Sequence, residues 1–173
     1  MTTLFGEIAE VANGFELEFE RILATDVDDL WSAVTERDRL GRWMAPYTGD
    51  LVLGGTWQAL GDDGGVWCTG TVTECEPPHR FVTTWQAADE EPTVLRVEVS
   101  AVADGARLHL RHYGVQSIYY GAGWQTYLEQ LDDLLGAAPS SVVDPSRVTG
   151  IAWDDRFTQL QPPWEERFGS LRS

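Results

Sequence analysis

The sequence predicts one α+β domain: an antiparallel sheet of about seven strands, two short helices after the first strand, and a long closing helix. Three observations carry this. FELEFERI (15–22) alternates apolar and acidic residues with the period of a half-buried strand. From residue 50 to residue 113, short apolar runs are separated by turn signals such as Gly54-Gly55, Pro77-Pro78 and Asp104-Gly105. GAGWQTYLEQLDDLL (121–135) then repeats Trp124, Leu128, Leu131 and Leu135 at helical spacing.

In the first strand Phe15, Leu17, Phe19 and the aliphatic part of Arg21 share one face, against Glu16, Glu18 and Glu20. Thr25 and Asp28 make a Thr-x-x-Asp start that resembles a capping box, and Val27, Leu30, Trp31 and Val34 follow at helical spacing to about Glu36. Thr35 and Asp38 begin a second short helix carrying Leu40, Trp43 and Met44, which Pro46 stops. The meander is expected over 51–53, 56–60, 66–75, 80–87, 93–102 and 106–113. The tail from Pro139 to Ser173 holds Trp153, Phe157, Trp164 and Phe168, too aromatic for a linker, so it is expected to pack on the domain or on a dimer partner. The division is therefore 1–138 for the domain and 139–173 for a C-terminal extension.

The 173 residues suit a single core, and 28 acidic against 12 basic residues give a formal net charge of −16. That charge repels nucleic-acid phosphates and anionic lipid headgroups, so neither is an expected partner. No apolar run approaches the ~18 residues that span a bilayer, and MTTLFGEIAEV lacks the pattern of a secretory leader; a cytoplasmic protein is expected. Cys68 and Cys75 fall in one predicted strand, seven steps of roughly 3.3 Å apart, beyond the ~4.4–6.8 Å of a disulfide. Both are expected to be free thiols.

LHLRHYGV (108–115) places two of the three histidines three residues apart. Between an Asp-Gly turn and a helix it reads as a strand, so His109 and His112 face opposite ways and share no metal. His79 lies in a turn with no partner at zinc spacing. His112 shares the inward face of Leu108 and Leu110, where three roles stay open: a neutral core histidine, a ligand contact, or a general acid or base.

The order of elements, with FERILATDVDDLWSAVTERDRLGRWM (19–44), GGTW (54–57), GTVTECEPPHRFVTTW (70–85), ARLHLRHYG (106–114) and GAGWQTYLEQL (121–131), resembles the Bet v 1/START-like (SRPBCC) superfamily. Within it the chain is similar to the bacterial family named for activator of Hsp90 ATPase homologue 1, over roughly residues 6–138. The resemblance implies a helix-grip fold, with a curved sheet wrapped around the C-terminal helix and a cavity between them for a small hydrophobic or amphipathic molecule. Strand parity applied to the matched stretches places Trp57, Cys68, Gly70, Phe81, Thr83, Trp85, Leu95, Val97, Leu110 and His112 inside, opposite Trp124, Tyr127 and Leu128. Trp43, Met44 and Tyr47 would guard one mouth. Eight Trp residues suit a walled pocket and a filled core equally.

Catalytic motifs are missing. Gly121-Ala122-Gly123 has Thr126 where the dinucleotide fingerprint needs glycine, and no G-x-S-x-G, Walker A, H-E-x-x-H or C-x-x-C occurs. The acidic clusters at 26–29, 62–63, 89–91 and 132–133 read as solvated surface, and a calcium loop from Asp26 fails at its sixth position, Trp31. No metal and no cofactor are expected. The leading expectation is noncatalytic binding of a small hydrophobic molecule. The alternatives are a cyclase-, aromatase- or hydrolase-type enzyme centred on His112 with Tyr127 or Cys68 assisting, and an interaction or chaperone-regulator module, with a homodimer left open.

Overall fold

The computed structural model describes residues 6–12, 14–87, 89–117, 119–148 and 150–171. The first five residues of MTTLFGEIAEV lie outside the described residues, as do Asn13, Ala88, Ile118, Thr149, Arg172 and Ser173. The strands are β1 (Gly6–Val11), β2 (Gly14–Leu23), β3 (Tyr47–Gly49), β4 (Thr56–Leu60), β5 (Val66–Glu76), β6 (Arg80–Ala87), β7 (Thr93–Val102) and β8 (Gly105–Val115). The helices are α1 (Val27–Thr35), α2 (Arg37–Trp43), α3 (Tyr119–Leu135) and α4 (Trp153–Ser170). All strands form one antiparallel sheet in the order β1-β2-β8-β7-β6-β5-β4-β3. This is the START-like helix-grip arrangement, with the inner face of the sheet against α3.

Eight strands are present among the described residues rather than about seven. The added strand, β1, pairs with β2 so that Ile8 lies opposite Leu17. An edge strand needs little inward apolar surface, and GEIAEV carries no alternation to announce it. The strand expected over 51–53 is instead β3, a few residues earlier. Gly49 has φ 90°, and Gly55 N donates to Val52 O at 2.8 Å, so the chain turns where a strand was expected.

The helix starts also differ from their sequence reading. Asp26 caps α1, its carboxylate accepting from Asp29 N at 2.8 Å, while Thr25 donates to the Asp29 side chain at 2.6 Å. Before α2 the capping position is Glu36, with no side-chain cap, because the Thr35 hydroxyl is spent on Trp31 O at 2.7 Å. Met44 ends α2 rather than extending it.

Along β2 the alternation is realised: Phe15, Leu17, Phe19, Arg21 and Leu23 are buried. Arg21 sits beneath the end of α3, where Nε donates to Asp132 Oδ1 at 3.2 Å and Nη1 to Val142 O. Asp132 is thus a part-buried ion-pair partner rather than solvated surface; the sequence shows its acidity but not the arginine it meets 111 residues away.

α4 lies on α3. Trp164 is 1% exposed, and its Nε1 donates to Gln125 Oε1 at 2.9 Å. The ring rests on Gly121, where an added Cβ would stand 2.4 Å from it. Arg156 grips Glu129 of α3 with two bonds of 2.7 and 2.8 Å and reaches Asp144 at 2.7 Å, all three residues being buried. Phe168 meets Phe15 at a centroid distance of 4.3 Å.

Candidate functional site

The inner faces of β4 and β6–β8, with Tyr47 of β3 and the helices α1, α2 and α3, line an apolar cavity of about 40 Å³. Of the predicted site residues, Trp43, Met44, Tyr47, Trp57, Phe81, Thr83, Trp85, Leu95, Val97, Leu110 and Trp124 line it. Val34, Leu40, Leu51 and Leu108 complete the wall. Leu108 shares the parity of Leu110 and was readable from it; Val34, Leu40 and Leu51 come from helices and a loop whose docking no strand period reveals. This volume is equivalent to a few water molecules, well short of the ~300–1,000 Å³ of a ligand pocket.

Polar groups in the wall are satisfied from within. Trp43 Nε1 donates to Ala33 O at 2.8 Å and Trp57 Nε1 to Thr83 Oγ1 at 2.8 Å. Gly70 lets the Trp57 ring lie on β5; a Cβ there would stand 2.4 Å from it. Gln130 of α3 donates to Trp43 O at 2.9 Å, fixing the end of α2 against the long helix.

The remaining four predicted residues lie elsewhere. Leu128 is fully buried in the core outside the cavity wall, and Cys68 is buried behind it on β5. Burial raises the Cys68 thiol to about 12, so the nucleophilic thiolate is suppressed at neutral pH. Tyr127 lines a second, outer pocket of about 240 Å³. His112 sits behind Trp85 and Trp124, 0% exposed.

His112 is held by a chain of hydrogen bonds. Its Nδ1 accepts from Trp124 Nε1 at 3.0 Å, which puts the ring proton on Nε2. Nε2 lies 2.7 Å from Thr93 Oγ1, and Thr93 donates onward to Trp85 O at 2.8 Å. Burial lowers the imidazole to about 3, so it is neutral across the physiological range. Both nitrogens are occupied by protein groups, leaving neither to take or give a proton to a substrate. His109, by contrast, is on the outer face, 2.8 Å from Glu18, beside Arg111, Arg96 and Glu98.

The outer pocket opens beside α4. Trp67, Trp85, Tyr120, Trp124, Tyr127, Trp153 and Phe157 wall it, with Glu90 among the lining residues. Tyr120 donates to Glu90 at 3.0 Å and accepts from Trp85 Nε1 at 3.3 Å. Met44, Trp85 and Trp124 belong to both pockets and form the partition between them. Trp153 and Phe157 stack at 4.8 Å, and their four-residue spacing in the tail was the available sequence signal. Trp67 is off the inward parity of β5 and was not readable. Trp153 Nε1 is buried with no hydrogen-bond partner among the described residues. Among those residues no three His, Cys, Asp or Glu side chains converge as metal ligands, and no helix is long and apolar enough to cross a membrane.

Similar structures repeat this architecture. The crystal structure of CalU16 from Micromonospora echinospora superposes with a TM-score of 0.71 at 21% identity, covering 99% of this chain and 98% of that one. A conserved protein of unknown function from Enterococcus faecalis gives 0.71 at 16% identity over 96% and 91%. An Hsp90 activator from Plasmodium falciparum gives 0.58 at 22% identity, covering 70% of this chain and 96% of that one. At these identities the likeness is one of fold. No curated protein sequence matches the chain. The model of the family described as activator of Hsp90 ATPase homolog 1-like protein matches residues 24–136, from the end of β2 to the end of α3, and the chain belongs to that family.

Proposed function

We propose that this protein binds a small hydrophobic or amphipathic molecule between the sheet and α3 and does not transform it. The carrying observation is the partition: an apolar inner cavity and an aromatic outer pocket share Met44, Trp85 and Trp124. A ligand held in the outer pocket gains depth when the unbranched Met44 side chain yields. The fold and the family support a ligand-binding domain, and the fully bonded, neutral His112 and the un-ionised Cys68 argue against chemistry at this site. A structural neighbour, DynU16, is a protein of the dynemicin biosynthetic locus, a setting in which a small organic ligand is chemically reasonable.

The test is native mass spectrometry of the full chain purified from its own host, gentle and then denaturing. A copurifying organic mass that departs on denaturation is expected; repeated isolation of bare protein, with no apolar compound shifting its melting temperature, counts against the reading. A second reading is an interaction module. It is favoured by the small inner volume together with exposed Val142, Val143 and Val148, which form an apolar stretch before α4. It predicts a bare protein that self-associates or captures a protein partner through 142–148.

A further inference from the structure

Resting on the binding reading, we infer that the outer pocket selects ligands carrying a positively charged ammonium group, with the charge held beside Glu90. The walls are aromatic on several sides. Trp67 meets Trp85 edge-on at 5.8 Å, Tyr127 meets Trp153 at 5.1 Å, and Phe157 stacks on Trp153. Ring faces attract cations through their quadrupole, and a cage of several rings suits an alkylated ammonium that cannot hydrogen-bond.

Charge reinforces the rings. Glu90 is the ionisable carboxylate of the wall, and no arginine or histidine lines the pocket among the described residues. Its hydrogen bond from Tyr120 uses one of the several acceptor positions of the carboxylate, leaving capacity for a cation. Two further carboxylates, on Asp62 of the β4–β5 turn and Asp154 at the start of α4, act on the same space. Burial is the main reason the Tyr127 phenol rises to about 12, and the fields of Asp62 and Asp154 add to it. The chain contains no lysine, and at a net charge of −16 the long-range field also draws cations inward. A carboxylate ligand would meet the repulsion of Glu90 here.

The ligand pair for the test is butyrylcholine and its uncharged isostere 3,3-dimethylbutyl butyrate, which differ by nitrogen against carbon at one position. Calorimetric titration of the full chain is expected to show the cation binding about tenfold or more tightly, a preference that Glu90→Gln and high salt both reduce. Trp67→Leu, which removes a cage wall and leaves Glu90, is expected to reduce it as well. Equal binding of the two esters, or a preference untouched by Glu90→Gln, overturns the charge selection and leaves the binding reading intact. Failure of both esters at millimolar concentration overturns the ammonium site, while the copurified mass still decides whether the protein binds something else.

Discussion

His112 shows how burial and hydrogen bonding fix a protonation state. Its folded pKa lies near 3, below the unfolded reference of about 6.5, so between those values the unfolded chain holds a proton that the folded chain lacks. Stability is therefore complete above pH 6.5 and falls as the pH drops towards 3, by about 1.4 kcal/mol per pH unit from this group. Urea denaturation between pH 7 and 5, above the carboxylate range, should reveal that slope, and His112→Gln should flatten it. Glutamine can accept from Trp124 and donate to Thr93, so a variant as steep as the parent would remove His112 from the account. Strand parity alone puts His112 indoors. Its partners, Thr93 on β7 and Trp124 on α3, have no spacing relation to it, which is why its role stayed open at the level of sequence.

The element that tests sequence reading hardest is α4. Trp153, Phe157, Leu160, Trp164 and Phe168 recur at helical spacing, yet Pro162 and Pro163 argue against a helix across the same span. The prolines deprive Thr158 and Gln159 of their usual backbone donors, but both residues are exposed and water can satisfy those carbonyls. Burial of Trp164 and the Arg156 ion pairs then outweighs the local preference. Arg156→Met takes the nearest guanidinium from buried Glu129 and Asp144, leaving Glu129 to Arg147 at 3.4 Å and Asp144 to Ser146, and should cost up to about 3 kcal/mol in chemical denaturation. Gly121→Ala drives a methyl into the Trp164 ring and should cost about 1–3 kcal/mol despite alanine's better helix propensity. Limited proteolysis of either variant should release the tail first. Should Arg156→Met prove neutral, the ion pairs do not hold α4 in place.

For the whole molecule, the order from β2 to α3 followed from periodicity and turn residues, because those elements write their own patterns, with β3 read a few residues late and β1 and α4 unread. Volume did not. Trp57, Trp85 and Trp124 could have walled a pocket; instead they approach one another and leave about 40 Å³. The eight tryptophans of the sequence carry no information about that spacing. Met44→Ala should enlarge the inner space, lower stability by about 1–2 kcal/mol, and let an apolar alcohol such as 1-hexanol saturate at lower concentration than in the parent. Unchanged affinity would mean that Met44 does not limit entry.

Trp85 stands at the hub of that cluster, with ring centroids 5.5 Å from Trp57, 5.8 Å from Trp67 and 5.4 Å from Trp124. Indoles so near one another exchange electronic excitation faster than they emit, so light absorbed by any of the four is shared. Their emission and their near-ultraviolet exciton signal thus report on the site as one chromophore. An occupant touching a single ring would change the emission of all four, and replacing Trp85 would weaken that sharing by removing the ring that contacts the other three: the protein carries its own optical gauge of occupancy.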